Sequence, residues 1–394
     1  MKEIKIYKCD FCDYQTDDER DCKKHEQEEH DSWAIHENPR KETHGFSRGI
    51  LMNKYSSFPS PQYLGNKYKH LDWIGQNIPN DVKTVMDAFA GSQSVSYYMK
   101  QRGFKVLTND FMRYSDEIGK SLIENDNEII SKEDLNILFD KNQDINKYDL
   151  MYNTFTDIFF NQEDSKFLDS FRSNIERLQG FKKNLALCVM NRAMTRKVTM
   201  GHFAHNKAIE YASNPERIKR NPSLIIPIKE LFLKILPEYN NAVFSNGFSN
   251  KSFSMDAIDF IHSYKEGVDL IYFDPPYCNS HADYQSFYHV LETYTEYWKD
   301  KEFINTVRCY YPKKQSGFVK KCEIINSFKM LFEEATSIKY WIISYNNRSY
   351  PKLEEMLKII SDYKKVKVVE KEYLNNVGGK GSVKGSKELL FVCS

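Results

Sequence analysis

Four consecutive residues, Asp274-Pro275-Pro276-Tyr277, place an acid, two prolines and an aromatic ring directly after an apolar run. That run, residues 268–273, has the length and composition of a buried β-strand. Proline has no backbone N–H to donate to a sheet ladder, so the strand must end there. Open α/β sheets bind their ligands at the carboxyl ends of their strands. A carboxylate, backbone carbonyls and an aromatic face at that edge can hold an exocyclic amine and stack on the ring that carries it.

A turn of small and acidic residues joins an earlier predicted strand to a predicted helix. It consists of Asp87, Ala88, Phe89, Ala90, Gly91 and Ser92. Small residues there let the backbone approach a ligand at the helix N-terminus. Asp110 follows the next predicted strand, where a carboxylate can accept hydrogen bonds from a ribose diol. Gln93 stands where such turns usually have a glycine, which disfavours a pyrophosphate cradle and suits a nucleoside cofactor without phosphate.

Near the N-terminus, Cys9, Cys12, His25 and His30 have the ligand spacing of a zinc finger. A unit of about thirty residues has too small a core to fold alone, so bound Zn²⁺ would supply its folding energy. Residues 1–32 carry 11 acidic and 6 basic side chains, which opposes strong phosphate contact. Base reading and protein docking therefore both stay open as roles for this unit.

Basic residues concentrate between positions 181 and 221, which hold nine Lys or Arg and two acids. Such cations neutralise phosphates, and arginine can also read guanine edges. The candidate DNA contacts are Arg192, Arg196, Lys197, Lys207, Arg217, Lys219 and Arg220. A solvated basic surface is the alternative for any one of them.

The elements that must position these residues alternate between strands and helices. This alternation predicts an α/β fold with a doubly wound, mainly parallel sheet. Helices are expected at 94–102, 252–264 and 352–362, and strands at 84–86, 105–108, 268–273, 339–344, 365–369 and 389–392. The chain is divided into a zinc finger at 1–32, a linker at 33–57, a cofactor-binding part at 58–112, an inserted, mostly helical segment at 113–243 and a catalytic part at 244–394.

The order of these motifs resembles that of the Dam-like, D12 class of adenine-N6 DNA methyltransferases. The resemblance rests on Tyr63-Leu64-Gly65-Asn66-Lys67, on the turn after the first strand and on the Asp-Pro-Pro-Tyr motif. It implies a Rossmann-like methyltransferase sheet with S-adenosylmethionine as cofactor. The implied cofactor contacts are Tyr63, Lys67, Asp87, Phe89, Ala90, Gly91, Asp110, Asp256 and Asp274. For Asp256, a helix N-cap is the alternative role.

The resemblance also implies a reaction. An adenine N6 amine is a poor nucleophile because its lone pair is delocalised into the ring. Asp274 and the carbonyl of Pro275 could accept its two hydrogens, which would aim the lone pair at the methyl group, while Tyr277 stacks on the base. Transfer would be direct, through positioning and fixed dipoles. Base flipping from double-stranded DNA is then required, and the inserted segment would be the target-recognition domain.

Two later segments have two interpretations each. Residues 278–292 either close over the flipped base, as in related enzymes, or form a helix that packs Phe287, Tyr288 and Leu291 inward. Residues 344–347 either contribute to the adenine pocket or make an ordinary turn at the end of a strand.

Composition narrows the class of protein and its cellular environment. The chain has 394 residues, a net charge of +1 and eight scattered cysteines, which favours a reducing cytoplasm, prokaryotic or phage, over a disulfide framework. No apolar run approaches the roughly 18 residues of a membrane span. Open alternatives are a cytosine-N4 methyltransferase, an RNA-directed enzyme and a zinc-finger DNA-binding protein with an inactive methylase fold. As a modification enzyme, the protein would have a cognate restriction endonuclease as partner; as an orphan methylase it would not.

Overall fold

The computed structural model describes residues 7–8, 15–16, 58–60, 62–276, 283–372 and 387–394. The chain forms two compact units, Met1–Asn53 and Lys54–Ser394. In the first unit, strands β1 (Tyr7–Lys8) and β2 (Gln15–Thr16) pair antiparallel.

The predicted zinc ligands fall in this first unit but outside the described residues. They are Cys9, Cys12, His25 and His30. The zinc finger therefore stays a prediction from ligand spacing.

The second unit is built on a seven-stranded sheet. Its strands are β3 (Thr84–Asp87), β4 (Lys105–Asn109), β5 (Lys251–Phe253), β6 (Leu270–Phe273), β9 (Tyr340–Asn346), β10 (Val366–Glu372) and β11 (Lys387–Cys393), and β7 (Glu302–Ile304) pairs with β8 (Cys309–Tyr311) as a separate hairpin. The order across the sheet is β10-β11-β9-β6-β3-β4-β5. From β5 to β9 all neighbours are parallel, and β11 is antiparallel to both of its neighbours. The predicted mainly parallel α/β sheet is confirmed.

Helices fill the connections between these strands. They are α1 (Leu71–Gly75), α2 (Ser94–Gln101), α3 (Arg113–Gly119), α4 (Lys132–Leu138), α5 (Leu150–Phe155), α6 (Gln162–Ile175), α7 (Phe181–Arg196), α8 (Ala208–Ala212), α9 (Pro215–Arg220), α10 (Ile228–Ala242), α11 (Ala257–Tyr264), α12 (Tyr284–Glu296), α13 (Ile324–Glu334) and α14 (Leu353–Ser361). Short 3₁₀ turns lie at 68–70, 199–201 and 222–224, and a π-helical turn at 120–124. Across the described ranges, none of these helices has the length and apolarity needed to cross a bilayer.

One predicted helix begins too early. Residues 252–264 were expected to be helical throughout, but Ser252 and Phe253 belong to β5, which pairs with β4. The helix starts only at Ala257, after the N-cap Asp256. Pairing with a strand distant in sequence decides the conformation of this short segment, and such pairing cannot be predicted from the local sequence.

Both faces of the sheet are covered, because side chains along its central strands alternate between two hydrophobic clusters. Val85 and Tyr272 belong to one cluster, and Met86 and Ile271 to the other. The first cluster includes side chains of α2, α5, α6, α7 and α10, and the second includes side chains of α11, α13 and α14. The sheet is therefore doubly wound. The helices within 113–243 share a hydrophobic core with the sheet, so the core does not mark a separate domain there. The domain boundaries at 113 and 243 stay predictions from the sequence.

The strand order reverses between β3 and β6. The chain runs outward from β3 to β4 and β5, then returns through β6 to β9 on the other side. Such a reversal opens a crevice at the carboxyl ends of the two strands. β3 ends at Asp87 and β6 at Phe273, and the N–H of Ala88 donates to the carbonyl of Tyr272 at 3.1 Å. The turn after β3 and the motif after β6 therefore begin side by side.

Candidate active site

A cleft opens at the carboxyl ends of β3, β4 and β6, with about 1080 Å³ of space that includes open solvent. It is lined by every predicted catalytic and cofactor residue that the structure describes. These are Tyr63, Lys67, Asp87, Phe89, Ala90, Gly91, Asp110, Asp256, Asp274, Pro275 and Pro276. Tyr277 and the residues after it to 282 lie outside the described part of the chain. The fold thus gathers residues from five separate stretches of sequence into one site.

Asp87 ends β3 and is almost completely buried, with 1% of its surface exposed. The hydroxyl of Ser96 donates a 2.6 Å hydrogen bond to Oδ2, and a backbone hydrogen bond at Phe89 also stabilises the charged carboxylate. Burial, together with the nearby charge of Asp274, raises the pKa of Asp87 to about 7. Asp87 therefore lines the cleft as a deeply buried acid.

Two residues in the left-handed backbone region shape the turn after β3. Gly91 has a φ of 49°, and its N–H donates to Oδ2 of Asp110 at 2.7 Å. Gln93 has a φ of 64°, the conformation that a glycine would favour. Its buried side-chain amide donates to the carbonyl of Ser115 at 3.3 Å and accepts from the hydroxyl of Thr108 at 2.7 Å. These bonds hold Gln93, the residue that stands in place of the usual glycine, in its left-handed conformation.

Asp110, beyond the end of β4, braces the same turn. Its Oδ1 accepts from the N–H of Met112 at 2.8 Å, while Oδ2 accepts from Gly91. Burial raises the pKa of Asp110 to about 6 against the opposing effect of these two bonds. Each carboxylate oxygen has a further lone pair. The predicted ribose contact is compatible with this bracing role and stays a prediction.

Asp256 is the N-cap of α11. Its Oδ1 accepts from the N–H of Ile258 at 2.8 Å, so the capping role that the sequence left open is present. The residue is exposed and also lines the cleft. Capping therefore leaves room for the cofactor contact implied by the resemblance.

Asp274 forms an ion pair with Lys67, a residue 207 positions earlier in the chain. The ammonium of Lys67 lies 2.9 Å from Oδ1 and 2.7 Å from Oδ2 of Asp274, and it also donates to the carbonyl of Gly65 at 2.9 Å. Lys67 is 6% exposed. The resemblance implied a cofactor contact for Lys67, and no sequence signal pointed to its pairing with the predicted catalytic acid.

Three tyrosines join the segment before α1 to the helix that follows the Asp-Pro-Pro-Tyr motif. The ring of Tyr63 stacks on Tyr288 at 4.9 Å and 4° and on Tyr284 at 5.5 Å and 14°. The hydroxyl of Tyr288 accepts from the N–H of Leu64 at 2.8 Å. Because Tyr284 and Tyr288 both lie on α12, this stack fixes α12 against the wall of the cleft.

The interior face of α12 bears on one of the sequence alternatives, for which Phe287 is half-buried and residues 278–282 lie outside the described part of the chain. Tyr288 and Leu291 are buried, at 1% and 2% exposure, so the inward-packing interpretation is confirmed for them. Glu292 is fully buried on the same helix. Its two carboxylate oxygens accept from the N–H groups of Arg113 and Tyr114, each at 3.0 Å, at the start of α3. Glu292 therefore satisfies two backbone donors at the N-terminus of α3.

The segment after β9 forms a turn, and its predicted contribution to the adenine pocket stays a prediction. β9 ends at Asn346, whose Oδ1 accepts from the N–H of Arg348 at 2.9 Å. The Asn346 amide donates to Glu388 on β11 at 3.3 Å. None of residues 344–347 is among those that line the cleft.

Sequence reasoning missed cleft residues that lie far beyond the motif. Phe318 meets the ring of Phe89 edge to face, with centroids 5.2 Å apart, and Ser316 and Val319 line the cleft beside it. These residues belong to an irregular stretch between β8 and α13, where neither periodicity nor a motif marks them. Only the course of the chain brings them to the site.

The structure contradicts one predicted DNA contact. Lys197 is 6% exposed, forms a 2.9 Å ion pair with Asp164 and donates to the carbonyl of Ile226 at 2.8 Å. Its ammonium is held inside the protein by these partners, so it cannot reach a phosphate. The prediction of DNA contact is wrong for this residue.

The remaining predicted DNA contacts differ in exposure. Arg192 is half-buried and donates to Gln62 at 2.7 Å and to Thr195 at 3.1 Å. Burial, with the charge of Arg192, lowers the pKa of Arg196 to about 10. Four cations are exposed, and the last three of them lie on α9: Lys207, Arg217, Lys219 and Arg220. These four keep their predicted role as candidates.

Comparison with known proteins shows which family this chain resembles. The family model described as D12 class N6 adenine-specific DNA methyltransferase matches residues 63–359, more than half of the chain. The chain is 31% identical over 347 residues to the Type II methyltransferase M2.HphI of Haemophilus parahaemolyticus, covering 85% of this chain and 97% of that protein. It is 24% identical to M.CviAII of Paramecium bursaria Chlorella virus 1, covering 79% and 91%, and 24% identical to M.FokI of Planomicrobium okeanokoites, covering 77% and 47%.

Proposed function

This chain belongs to the D12 class of N6 adenine-specific DNA methyltransferases, and on that premise we propose how its cleft works. The cleft takes S-adenosylmethionine and an adenine flipped out of duplex DNA, and it transfers a methyl group to N6. Membership of an adenine-specific family argues against the cytosine-N4 alternative. It also argues against an inactive methylase fold, since the described part of the catalytic motif is intact.

One observation carries this proposal. Asp274, the acid suited to hold an exocyclic amine, lines the same cleft as Asp87, Gly91 and Asp110, the elements suited to hold a nucleoside. Both groups stand at the point where the strand order reverses, which is the usual ligand site of an open α/β sheet. The two reactants would therefore meet within one cleft.

The cleft suits S-adenosylmethionine. Asp110 offers further lone pairs to a ribose diol, and Asp87 and Gly91 line the same wall of the cleft. Phe89 and Asp256 flank the region proposed for the cofactor's adenine. When bound, the cofactor would supply the electrophilic methyl group.

The catalytic motif would prepare the amine. Asp274 and the carbonyl of Pro275 accept the two N6 hydrogens, which directs the nitrogen lone pair toward the methyl group. Pro275 and Pro276 give this segment a stiff backbone, and Tyr277 is proposed to stack on the base. Catalysis comes from orientation and fixed dipoles.

The exposed cations of α9, together with Lys207, are proposed to contact the phosphates of duplex DNA. The relatives are named Type II methyltransferases. These names support a role in a restriction-modification system with a cognate endonuclease as partner.

Cys9, Cys12, His25 and His30 are proposed to hold one structural Zn²⁺. The described residues contain no cluster of side chains suited to a metal ion, so this proposal rests on ligand spacing alone.

The direct test is methylation of unmodified DNA with S-adenosylmethionine, read by single-molecule sequencing. We expect N6-methyladenine at one short sequence. Asp274→Ala should abolish transfer yet bind the cofactor, while Asp300→Ala, which removes an exposed acid outside the cleft, should behave as wild type. Transfer at wild-type rate by Asp274→Ala would refute the proposed mechanism, and N4-methylcytosine as product would refute the proposed substrate.

A further inference from the structure

The ammonium of Lys67 is held by three acceptors among the described residues. They are the two carboxylate oxygens of Asp274 and the carbonyl of Gly65, at 2.7 to 2.9 Å. The side chains of Lys67 and Asp274 are 7% and 17% exposed. A pair held this way in a partly buried site is far more rigid than a surface salt bridge.

The pair sits among other ionisable groups that line or flank the cleft. Among the described residues, those that interact electrostatically with Asp274 or Lys67 include Asp87 from β3, Tyr272 from β6, Tyr284 from α12, Glu388 from β11 and His70 from the 3₁₀ turn. Burial raises the pKa of Glu388, and the charge of Asp274 raises it further while Lys67 lowers it. Lys67 therefore offsets the mutual repulsion of several acids at this edge of the sheet.

This geometry has a consequence for substrate binding. A carboxylate rotates readily about its last side-chain bond, whose torsional preference is broad. Contact of one ammonium with both oxygens removes that freedom and fixes the plane of the Asp274 carboxyl group. The same contact also places a hydrogen-bond donor where a substrate amine would have to donate.

We propose that Lys67 is a positioning residue, which holds the Asp274 carboxylate in its working orientation and shares it with the entering target amine. The proposal rests on the proposed function of Asp274. The ammonium can release one carboxylate oxygen and still donate to the other and to Gly65, so the transfer of one contact leaves no charge unpartnered. Lys67 would thus act on the reaction through Asp274.

Lys67→Met tests this role, because it keeps an apolar stem of similar length and removes the ammonium. We expect kcat to fall on the order of 100-fold, as misplacement of a reacting group does. KM for DNA and the Kd for S-adenosylhomocysteine, measured by calorimetry, should change less than about twofold. Lys67→Arg should recover part of kcat, since a guanidinium restores the charge with a different geometry.

Lys69→Met is the matched control. Lys69 lies in the 3₁₀ turn that Lys67 precedes, is exposed and is not among the residues that line the cleft, so its variant should match the wild type. Wild-type kcat in Lys67→Met would overturn the inference. A tenfold weaker Kd for S-adenosylhomocysteine with unchanged kcat would also overturn it, and would make Lys67 a cofactor contact. If Lys67→Met unfolds at a lower temperature than the wild type, kcat and the Kd for S-adenosylhomocysteine are compared between Lys67→Arg and the wild type instead. Failure of the wild type to methylate any adenine would instead refute the proposed function.

Discussion

Gly91 lies against the ring of Tyr63 so closely that no side chain would fit between them. A Cβ on Gly91 would stand 2.9 Å from Cε1 of Tyr63, and the backbone there has a φ of 49°. Tyr63 cannot easily move away, because its ring is stacked on Tyr288 and Tyr284. The cofactor turn and the segment before α1 are therefore fitted to each other within the cleft wall.

Gly91→Ala should consequently damage the cofactor site. We expect a loss of about 1–3 kcal/mol in the free energy of unfolding from backbone strain, and at least about tenfold weaker binding of S-adenosylhomocysteine. Gly103→Ala is the control, since Gly103 has a φ of 81° but no described atom within 4 Å of an added Cβ. It should share the strain and leave binding unchanged. Equal loss of binding in both variants would show that the Tyr63 contact is unimportant.

The buried acid Asp87 should give the protein a measurable pH dependence. Its pKa is about 7 in the folded protein against an ordinary value of 3.8. Between these values the folded chain holds a proton that the unfolded chain releases, so Asp87 lowers stability as pH rises through that window. Asn at this position does not titrate.

Asp87→Asn should therefore gain stability relative to wild type between about pH 5 and about pH 8, on the order of 2 kcal/mol. Urea unfolding at the two pH values measures the difference. Asp259→Asn, which changes an exposed acid on α11, should track the wild type at both. A stability difference for Asp87→Asn that does not change with pH would contradict this assignment.

The cations of α9 should contribute to DNA affinity through charge. Replacing Arg217, Lys219 and Arg220 with Ala should weaken DNA binding and lower the slope of log K against log salt by about 0.9 for each lost phosphate contact. Fluorescence anisotropy over a salt series gives this slope. A triple Ala variant at the exposed Lys132, Lys329 and Lys358, which lie on α4, α13 and α14, should retain it. Identical slopes in the two triple variants would remove α9 from the DNA interface.

Lys197→Met should lower the stability of the protein and leave its DNA binding unchanged, unlike the α9 variant. Loss of the ammonium leaves Asp164 buried without its partner, which costs about 3–5 kcal/mol in a buried pair. Thermal unfolding should report that loss, whereas the salt slope of DNA binding should not change in the protein that remains folded. A changed slope would restore Lys197 to the DNA interface.

The zinc prediction has a direct measurement. Elemental analysis of the purified protein should find about one zinc per chain, and Cys9→Ser or Cys12→Ser should remove it. Cys322→Ser is the control, because Cys322 is an exposed free cysteine in the second unit and should leave the zinc content unchanged. Full zinc content in both N-terminal variants would exclude this finger.

Several elements of the cleft could be predicted because local residues specify them. The apolar run before Asp274 ends where two prolines prevent further pairing, and β6 ends there. The small residues after Asp87 mark the strand-to-helix turn that the structure contains. The prediction of a helix from residue 252 was wrong at its N-terminal end. Residues 252 and 253 belong to β5, because pairing with β4 outweighs local preference in so short a strand.

By itself, the sequence determined the chemistry available to this protein: an acid, prolines and an aromatic at a strand end, a nucleoside-binding turn and a set of cations. Only the tertiary structure decided which of these groups meet. It paired Lys67 with Asp274, set Gly91 against Tyr63, used Glu292 to cap α3 and buried Lys197 beside Asp164. The physical reason is range: strand ends and turns are fixed by neighbours in sequence, whereas these contacts join residues that the packing of the sheet and its helices brings together.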